Sequence, residues 1–285
     1  MTSLELPLGK RTKLYRFFEI IPAAISYGMI IVFIILSVLW PLAAAVYLLL
    51  IIITVFIKSI GIAYHTIRGH NKLMNAQRID WHARLMDLEH PADAYRRVQQ
   101  VVSPGFGYRE HQENLRLISA DPENRPKPSD LYHAVIIAAY NEEYDVIQPT
   151  LESVRNTTYD NKRIILYIAY EERGGEGIHA TVKRLQDEYS DVFYTFQIVR
   201  HPKDLPDEIV GKGPNITYAG YELQKWCKRQ GIAYNNVIVT TLDSDNRPHP
   251  TYFDYVAYEY IAQDDRKHLS YQPIALYFGN IWDAP

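Results

Sequence analysis

The chain has 285 residues, a formal net charge of −3, 47% hydrophobic residues and 22% charged residues. This is the composition of an ordinary folded protein, and it excludes disordered, collagen-like and coiled-coil chains. Because 30 basic residues face 33 acidic ones, the chain has no overall positive field, and we expect no nucleic-acid partner. The single cysteine, Cys227, excludes an intrachain disulfide and a cysteine-based zinc site.

An uncharged apolar run occupies the N-terminal part of the chain, with no Asp, Glu, Lys, Arg or His between Glu19 and Lys58. As one helix the run would be about 57 Å long, roughly twice the thickness of a hydrocarbon core. Pro41, near its middle, lacks the backbone donor that a continuous helix needs. The run therefore predicts two transmembrane helices, about Ile20 to Leu39 and about Leu42 to Ile62. A buried hairpin of a soluble protein is the alternative.

Basic residues flank this hairpin at both ends, whereas its turn carries no charge. Lys10, Arg11, Lys13 and Arg16 precede it, and Lys58, Arg68 and Lys72 follow it. The positive-inside rule then places both ends in the cytoplasm. We therefore expect a multi-pass protein of the cell membrane, in which 1–18 is a cytosolic N-terminus, 19–64 is the membrane hairpin and everything after about Tyr64 is cytosolic.

Residues 65–130 are predicted to connect the hairpin to a second domain. From Thr66 to about Gln100 the apolar residues have the approximate i, i+3, i+4 spacing of an amphipathic helix near the membrane, broken at Pro91. The alternative, which we favour, is a solvated connector packed on the next domain. The segment from Ser103 to Asp130 is rich in proline and glycine, which indicates loops and a linker.

Strands and helices alternate after residue 131. Short apolar runs predict strands at 132–140, 163–170, 192–199 and 236–242, and helical segments lie between them, to about Asn156, over Ile178 to Tyr189 and over Asn215 to Arg229. Unbroken apolar strands that alternate with helices predict an α/β fold whose parallel sheet is covered on both faces. Ligands of such sheets bind beyond the carboxyl ends of the strands.

Acidic residues follow three of the four predicted strands: Glu142, Glu171, and Asp243 with Asp245. Carboxylates gathered at one edge repel each other unless a cation or a hydroxyl-rich ligand is present. Asp243 and Asp245 are two apart in an extended segment and would point the same way, and their oxygens suit Mg²⁺ or Mn²⁺. The alternative is that the segment from Asp243 to Asn246 forms an Asx turn that caps the next helix.

The order of motifs over about residues 132 to 285 resembles family 2 glycosyltransferases. The motifs are Val-Ile-Ile-Ala-Ala-Tyr-Asn-Glu-Glu at 135–143, a second strand ending in an acid, Gly-Lys-Gly at 211–213, and a strand leading to Asp-Ser-Asp at 243–245. The resemblance implies a GT-A fold, a Rossmann-like mixed and mostly parallel sheet, over residues 131–285, and a nucleotide-activated sugar as donor. With the hairpin in front, the chain looks like the membrane-embedded cellulose and hyaluronan synthases.

The resemblance also implies roles for particular residues. Glu171 would contact the base or ribose, where the family has aspartate, and Lys212 would meet the diphosphate. Asp245 would ligate Mg²⁺ or Mn²⁺ together with Asp243, which lies near the ribose. The implied nucleotide-sugar-binding residues are Ala139, Tyr140, Glu142, Glu171, Lys212 and Asp243. Judged from the residues alone, Tyr140 could have only a packing role, Glu142 could equally cap the next helix, and Lys212 could be a solvent-facing loop lysine.

We therefore expect a membrane-anchored, metal-dependent transferase that moves a sugar from a nucleotide-diphosphate donor, a UDP-sugar above all, to a glycan or lipid acceptor, with inversion by analogy. The family carries its general base and its Gln-x-x-Arg-Trp motif after the part matched here, so no catalytic base is named. We expect the front part of a longer enzyme, or else a degenerate form. The alternatives are a donor-binding membrane module without activity and a nucleotidyltransferase of related fold, although the glycine-rich phosphate loop of the latter is missing after the first strand.

Overall fold

The fold is that of a computed structural model, which describes residues 12–101, 105–205, 208 and 211–273. Most of the predicted basic N-terminus (1–11) and the last residues of the predicted second domain (274–285) lie outside the described residues. The chain divides after Ala76 into two compact units, one helical and one built on a sheet.

The helical unit consists of α1 (Lys13–Leu39), with 27 residues, and α2 (Pro41–Ala76), with 36. The chain breaks at Trp40, between them. Pro41 is accepted there because the first position of a helix needs no backbone donor, whereas the interior does. By length and composition both helices are long enough and apolar enough to cross a membrane.

The two helices pack against each other as a hairpin. Tyr47 of α2 stacks on Phe33 of α1, and its hydroxyl donates a hydrogen bond of 3.2 Å to the carbonyl of Met29. Apart from Ala44, no residue of either helix is buried. Because the surface of the pair is apolar, a nonpolar surrounding would suit it better than water.

Three helices follow in the second unit: α3 (Trp81–Asp87), α4 (Pro91–Val98) and α5 (Tyr108–Ala120). The predicted break at Pro91 is present, but a further break precedes α3. The prediction of loops from Ser103 to Asp130 is wrong at 108–120, where α5 buries His111, Leu115 and Ile118. The glycines and prolines of this segment flank the helix, so they mark its ends and do not exclude it.

Within the described residues, the sheet has four parallel strands in the order β3-β2-β1-β4. They are β1 (Tyr132–Ala139), β2 (Ile164–Glu171), β3 (Thr195–His201) and β4 (Val237–Asp243). Helices α6 (Tyr144–Arg155), α7 (Gly175–Tyr189) and α8 (Lys212–Gln230) connect the strands, and α9 (Tyr252–Ala262) follows β4. The predicted parallel α/β sheet is confirmed.

β1 and β2 are buried along nearly their whole length because helices cover both faces of the sheet. Helix α8 packs on one face, where Leu223 and Trp226 join a cluster that includes Ile136 and Tyr167. Helix α7 contacts β2 and β3. The chain places β2 and β3 on one side of β1 and then returns to the other side for β4. Ligands of doubly wound sheets bind at such a reversal.

Candidate functional site

A cleft of about 290 Å³ lies at the carboxyl ends of β1, β2 and β4, beside the first turn of α8. The seven residues selected by sequence analysis all line it: Ala139, Tyr140, Glu142, Glu171, Lys212, Asp243 and Asp245. The parallel register brings them together, because Ala138 pairs with Asp243 on one side of β1 and Ala139 pairs with Tyr170 on the other. Strand ends that are far apart in sequence therefore lie level with each other.

Two carboxylates at the end of β4 face the cleft. Asp243 and Asp245 are exposed, whereas Leu242 and Ser244 are buried. Both aspartates line the cleft, but the predicted extended segment ends at Asp243, because Ser244 and Asp245 form a turn.

Buried contacts hold the turn that carries these carboxylates. The Thr150 hydroxyl of α6 donates a hydrogen bond of 2.7 Å to the carbonyl of Ser244, and both residues are buried. The backbone N–H of Asn246 donates to the carbonyl of Asp243 at 3.1 Å. The segment does not cap the next helix, since α9 begins only at Tyr252.

Lys212 is the first residue of α8, and its Nζ forms an ion pair with Oδ1 of Asp243. The side chains are 47% and 54% exposed, respectively. A pair so open to water contributes little to stability. The pair matters for the cleft instead, because it places the Lys212 ammonium group there and balances the charge of Asp243.

Glu171, the last residue of β2, has a side chain only 8% exposed and is paired with Arg173. The guanidinium carbon of Arg173 lies 5.6 Å from the centroid of the Tyr140 ring. Tyr140 itself is 42% exposed and so does not belong to the core. Arg173, which was not among the predicted site residues, balances the charge of Glu171 and lies over the ring of Tyr140.

Gly174 allows this turn to approach β1 closely. A Cβ atom at this position would lie 1.7 Å from the carbonyl oxygen of Tyr140 and 3.0 Å from a methyl carbon of Ile178. Any side chain at residue 174 would therefore push the turn and the first strand apart. The Gly174-Gly175 pair is visible in the sequence, but the contact that requires the first glycine is not.

The turn after β2 is also tied to the end of β3. Glu172 accepts a hydrogen bond of 3.0 Å from the backbone N–H of Lys203 and pairs with Arg200 at 2.9 Å. The hydrogen bond from Lys203, with the nearby positive charge of Arg200, holds the pKa of the Glu172 carboxyl below its usual range. This carboxylate therefore stays ionised and anchors the turn outside the cleft.

Two polar side chains fix the backbone that forms the cleft wall. Glu142 accepts a hydrogen bond of 2.6 Å from the backbone N–H of Tyr140, and it does not cap α6. The buried Asn215 donates from Nδ2 to the carbonyls of Ala169 at 2.9 Å and Ala139 at 3.3 Å. Asn215 thus ties the ends of β1 and β2 to α8. No sequence pattern singled it out.

The number of acidic side chains grouped in the cleft limits the kind of metal site that it could form. Within the described residues, no three or more His, Cys, Asp or Glu side chains are grouped so as to hold a metal ion. Mg²⁺ is often held by one or two carboxylates, with water and substrate phosphates as its other ligands. Asp243 and Asp245 suit a cation bound together with a phosphorylated ligand, not a closed protein cage.

Comparison with known proteins adds one match. The family model described as Glycosyl transferase family 2 matches residues 134–196. The matched range runs from β1 to the start of β3 and contains Tyr140, Glu142 and Glu171, whereas Lys212, Asp243 and Asp245 lie beyond it. The match supports a glycosyltransferase domain with a nucleotide-sugar donor. No curated protein matched the chain.

Proposed function

We propose that this chain is the donor-binding part of a membrane-anchored glycosyltransferase of the cellulose and hyaluronan synthase type, which takes a sugar from a UDP-sugar and passes it to a glycan or lipid acceptor. The observation that carries the proposal is the cleft at the strand ends, which side chains inside the matched range share with Lys212, Asp243 and Asp245. Inversion at the sugar carbon is proposed by analogy with the family alone.

The charges in the cleft suit a nucleoside diphosphate. Lys212 supplies a cation at the N-terminus of a 19-residue helix, where unpaired backbone N–H groups also favour anions. At the opposite side of β1, the Glu171–Arg173 pair and the Tyr140 ring offer polar groups and an aromatic surface for the nucleoside. The diphosphate then belongs near α8 and β4, and the base belongs near β2.

Sugar transfer places negative charge on the departing diphosphate, and the cleft residues would balance it. In this structure Lys212 is paired with Asp243, and an incoming diphosphate competes for the same ammonium group. Asp243 and Asp245 would hold Mg²⁺ or Mn²⁺, which when bound stabilises the charge on the phosphates. Asn215 and Glu142 keep the strand ends in place, so the cleft needs little rearrangement when the donor binds.

Membrane anchoring is the second element of the proposal, and the hairpin of α1 and α2 supports it by its length and apolar surface. Basic residues at both of its ends favour a cytoplasmic location for the domain with the cleft. Donor sugar nucleotides would then reach the cleft from the cytosol.

Titration of UDP into the full chain in detergent, with and without Mn²⁺, tests the proposal by calorimetry. We expect Mn²⁺-dependent binding that Asp245→Asn weakens by about 10-fold or more, since a charged ligand to the cation is removed. Asp187→Asn is the matched control, because Asp187 is an exposed aspartate of α7 that does not line the cleft. Absence of nucleotide binding by the folded wild-type chain would refute the proposal.

Measuring UDP release from a UDP-sugar then separates transfer from binding. Turnover by the complete gene product supports the enzyme, whereas tight Mn²⁺-dependent UDP binding without turnover would support a donor-binding module.

A further inference from the structure

Among the residues that the structure describes, the open end of the hairpin carries five exposed Lys and Arg residues, which we call the basic collar. They are Lys13, Arg16, Lys58, Arg68 and Lys72. Arg16 pairs with Glu19 at 2.7 Å. After Glu19 the sequence has no other carboxylate before Asp80. Within the described part of the chain the other four collar residues make no ion pair, so the collar has a strong excess of positive charge.

The hairpin brings the two halves of the collar to similar heights. Phe33 and Tyr47 stack on each other and lie equally far in sequence from Trp40, so the helices run back from the turn side by side. With a rise of 1.5 Å per residue, the collar begins about 27 Å from the turn, at Lys58, and ends about 48 Å from it, at Lys72. The two α1 residues fall between these limits.

These heights correspond to one surface of a bilayer. A hydrocarbon core is about 30 Å thick, and the headgroup layers bring the bilayer to about 40–45 Å. If the uncharged turn lies at one surface, the collar begins at the opposite edge of the hydrocarbon and extends through the headgroups. The electrostatic attraction of a lipid surface extends about 8 Å further into physiological salt.

The part of α2 that extends past the apolar run has two distinct faces. Lys58, His65 and Lys72 recur every seven residues, which is about two helical turns, so they lie on one face. Ile60, Ile67 and Met74 also recur every seven residues, on the opposite face, and they are 55%, 65% and 41% exposed. The basic face therefore presents positive charge along one side of α2, from the edge of the hydrocarbon outward.

From the charge, the heights and the two faces, we infer that the basic collar binds the anionic headgroups of phospholipids at the side of the membrane where α1 begins. The inference rests on the membrane anchoring proposed above. The partner is identified by charge complementarity: a dense set of Lys and Arg at headgroup height fits phosphate-bearing lipids with a net negative charge, and neutral lipids offer no comparable attraction.

The test compares spin-labelled phosphatidylglycerol with spin-labelled phosphatidylcholine around the full chain, reconstituted into phosphatidylcholine vesicles with a minor share of phosphatidylglycerol. For the wild type we expect the motionally restricted fraction to favour phosphatidylglycerol by about threefold or more, and molar salt to reduce this preference. A collar variant with Lys58→Gln, Arg68→Gln and Lys72→Gln should lose most of it.

The matched control replaces three exposed lysines of the other unit, as Lys183→Gln, Lys225→Gln and Lys228→Gln, and should keep the full preference. Lys13→Gln alone, which leaves α2 unchanged, should cause a partial loss, so the inference stays testable if the triple variant inserts poorly. Equal lipid preferences in the wild type and the collar variant would overturn the inference while leaving anchoring intact. Extraction of the wild-type chain from vesicles by alkaline carbonate would refute anchoring and the collar together, and UDP binding in the same sample reports on the cleft separately.

Discussion

Replacing Gly174 by alanine should separate the turn after β2 from β1 and weaken nucleotide binding. Gly174 has φ −69° and ψ −11°, which alanine adopts without strain, so the effect of Gly174→Ala is steric. The added Cβ would meet the Tyr140 carbonyl oxygen at 1.7 Å, whereas ordinary contact begins at 3.4 Å. One of the two segments must therefore move by about 1.7 Å in a well-packed site.

The magnitude follows from two opposing effects. Overpacking of this kind lowers the free energy of unfolding by about 1–3 kcal/mol. Replacing glycine also reduces the conformational freedom of the unfolded chain, which raises the free energy of unfolding by about 0.4–1 kcal/mol. We expect a net destabilisation of about 1–2 kcal/mol, or a lowering of Tm by roughly 2–8 °C for a unit of this size. The affinity for UDP should fall as well, because Tyr140 and the Glu171–Arg173 pair no longer keep their relative positions.

Gly177→Ala is the matched control for this prediction. Gly177 lies in α7, and a Cβ there would have nothing within 4 Å. Alanine is the better helix former, so this variant should gain up to about 0.5–1 kcal/mol and bind UDP as the wild type does. Thermal unfolding of the full chain in detergent, followed by near-ultraviolet circular dichroism, measures both variants. If Gly174→Ala matched the wild type in Tm and in UDP affinity, the close contact would be refuted.

Three further predictions concern buried polar groups. Burial lowers the pKa of His133 to about 3, against 6.5 in the unfolded chain, so the unfolded chain binds a proton that the folded one does not. Stability should therefore fall by about 1.4 kcal/mol per pH unit as the pH drops from about 6.5 to about 3, and unfolding titrations of His133→Gln should lack this part of the slope. Asp254 is fully buried and its Oδ1 lies 2.9 Å from Nδ1 of His82, so chemical denaturation should show Asp254→Ala to be less stable by about 1–3 kcal/mol and Asp254→Asn less affected. Thr150→Val keeps the side-chain volume but leaves the Ser244 carbonyl without its donor, and calorimetry should show weaker Mn²⁺-dependent UDP binding.

For each of these three predictions, a specific result would contradict the reasoning. An unchanged pH slope in His133→Gln would mean that the imidazole is accessible to protons in the folded chain. If both Asp254 variants were as stable as the wild type, the Asp254 carboxylate would not stabilise the contact between α9 and α3. Full UDP affinity in Thr150→Val would show that the turn at the end of β4 does not depend on α6.

The hairpin and the sheet were predictable because their signals are local. The uncharged run with Pro41 inside it indicates two helices and the place of their break, and short apolar runs indicate buried strands. Helix α5 was missed because its Leu115 and Ile118 share a weak helical pattern between stronger turn signals. Local propensity favoured loops there, and packing within the second unit outweighed it.

The acids at the strand ends were also predictable, since parallel strands must present their carboxyl ends at one edge. The sequence alone determined which residue types come to that edge, because the strand lengths fix where each chain segment leaves the sheet. Only the tertiary structure decided four contacts of the site. They are the ion pair of Lys212 with Asp243, the ion pair of Arg173 with Glu171, the hydrogen bonds of Asn215 to the ends of β1 and β2, and the close approach that requires Gly174. Each of these contacts depends on how closely two separate segments approach, and neither periodicity nor residue type encodes that distance.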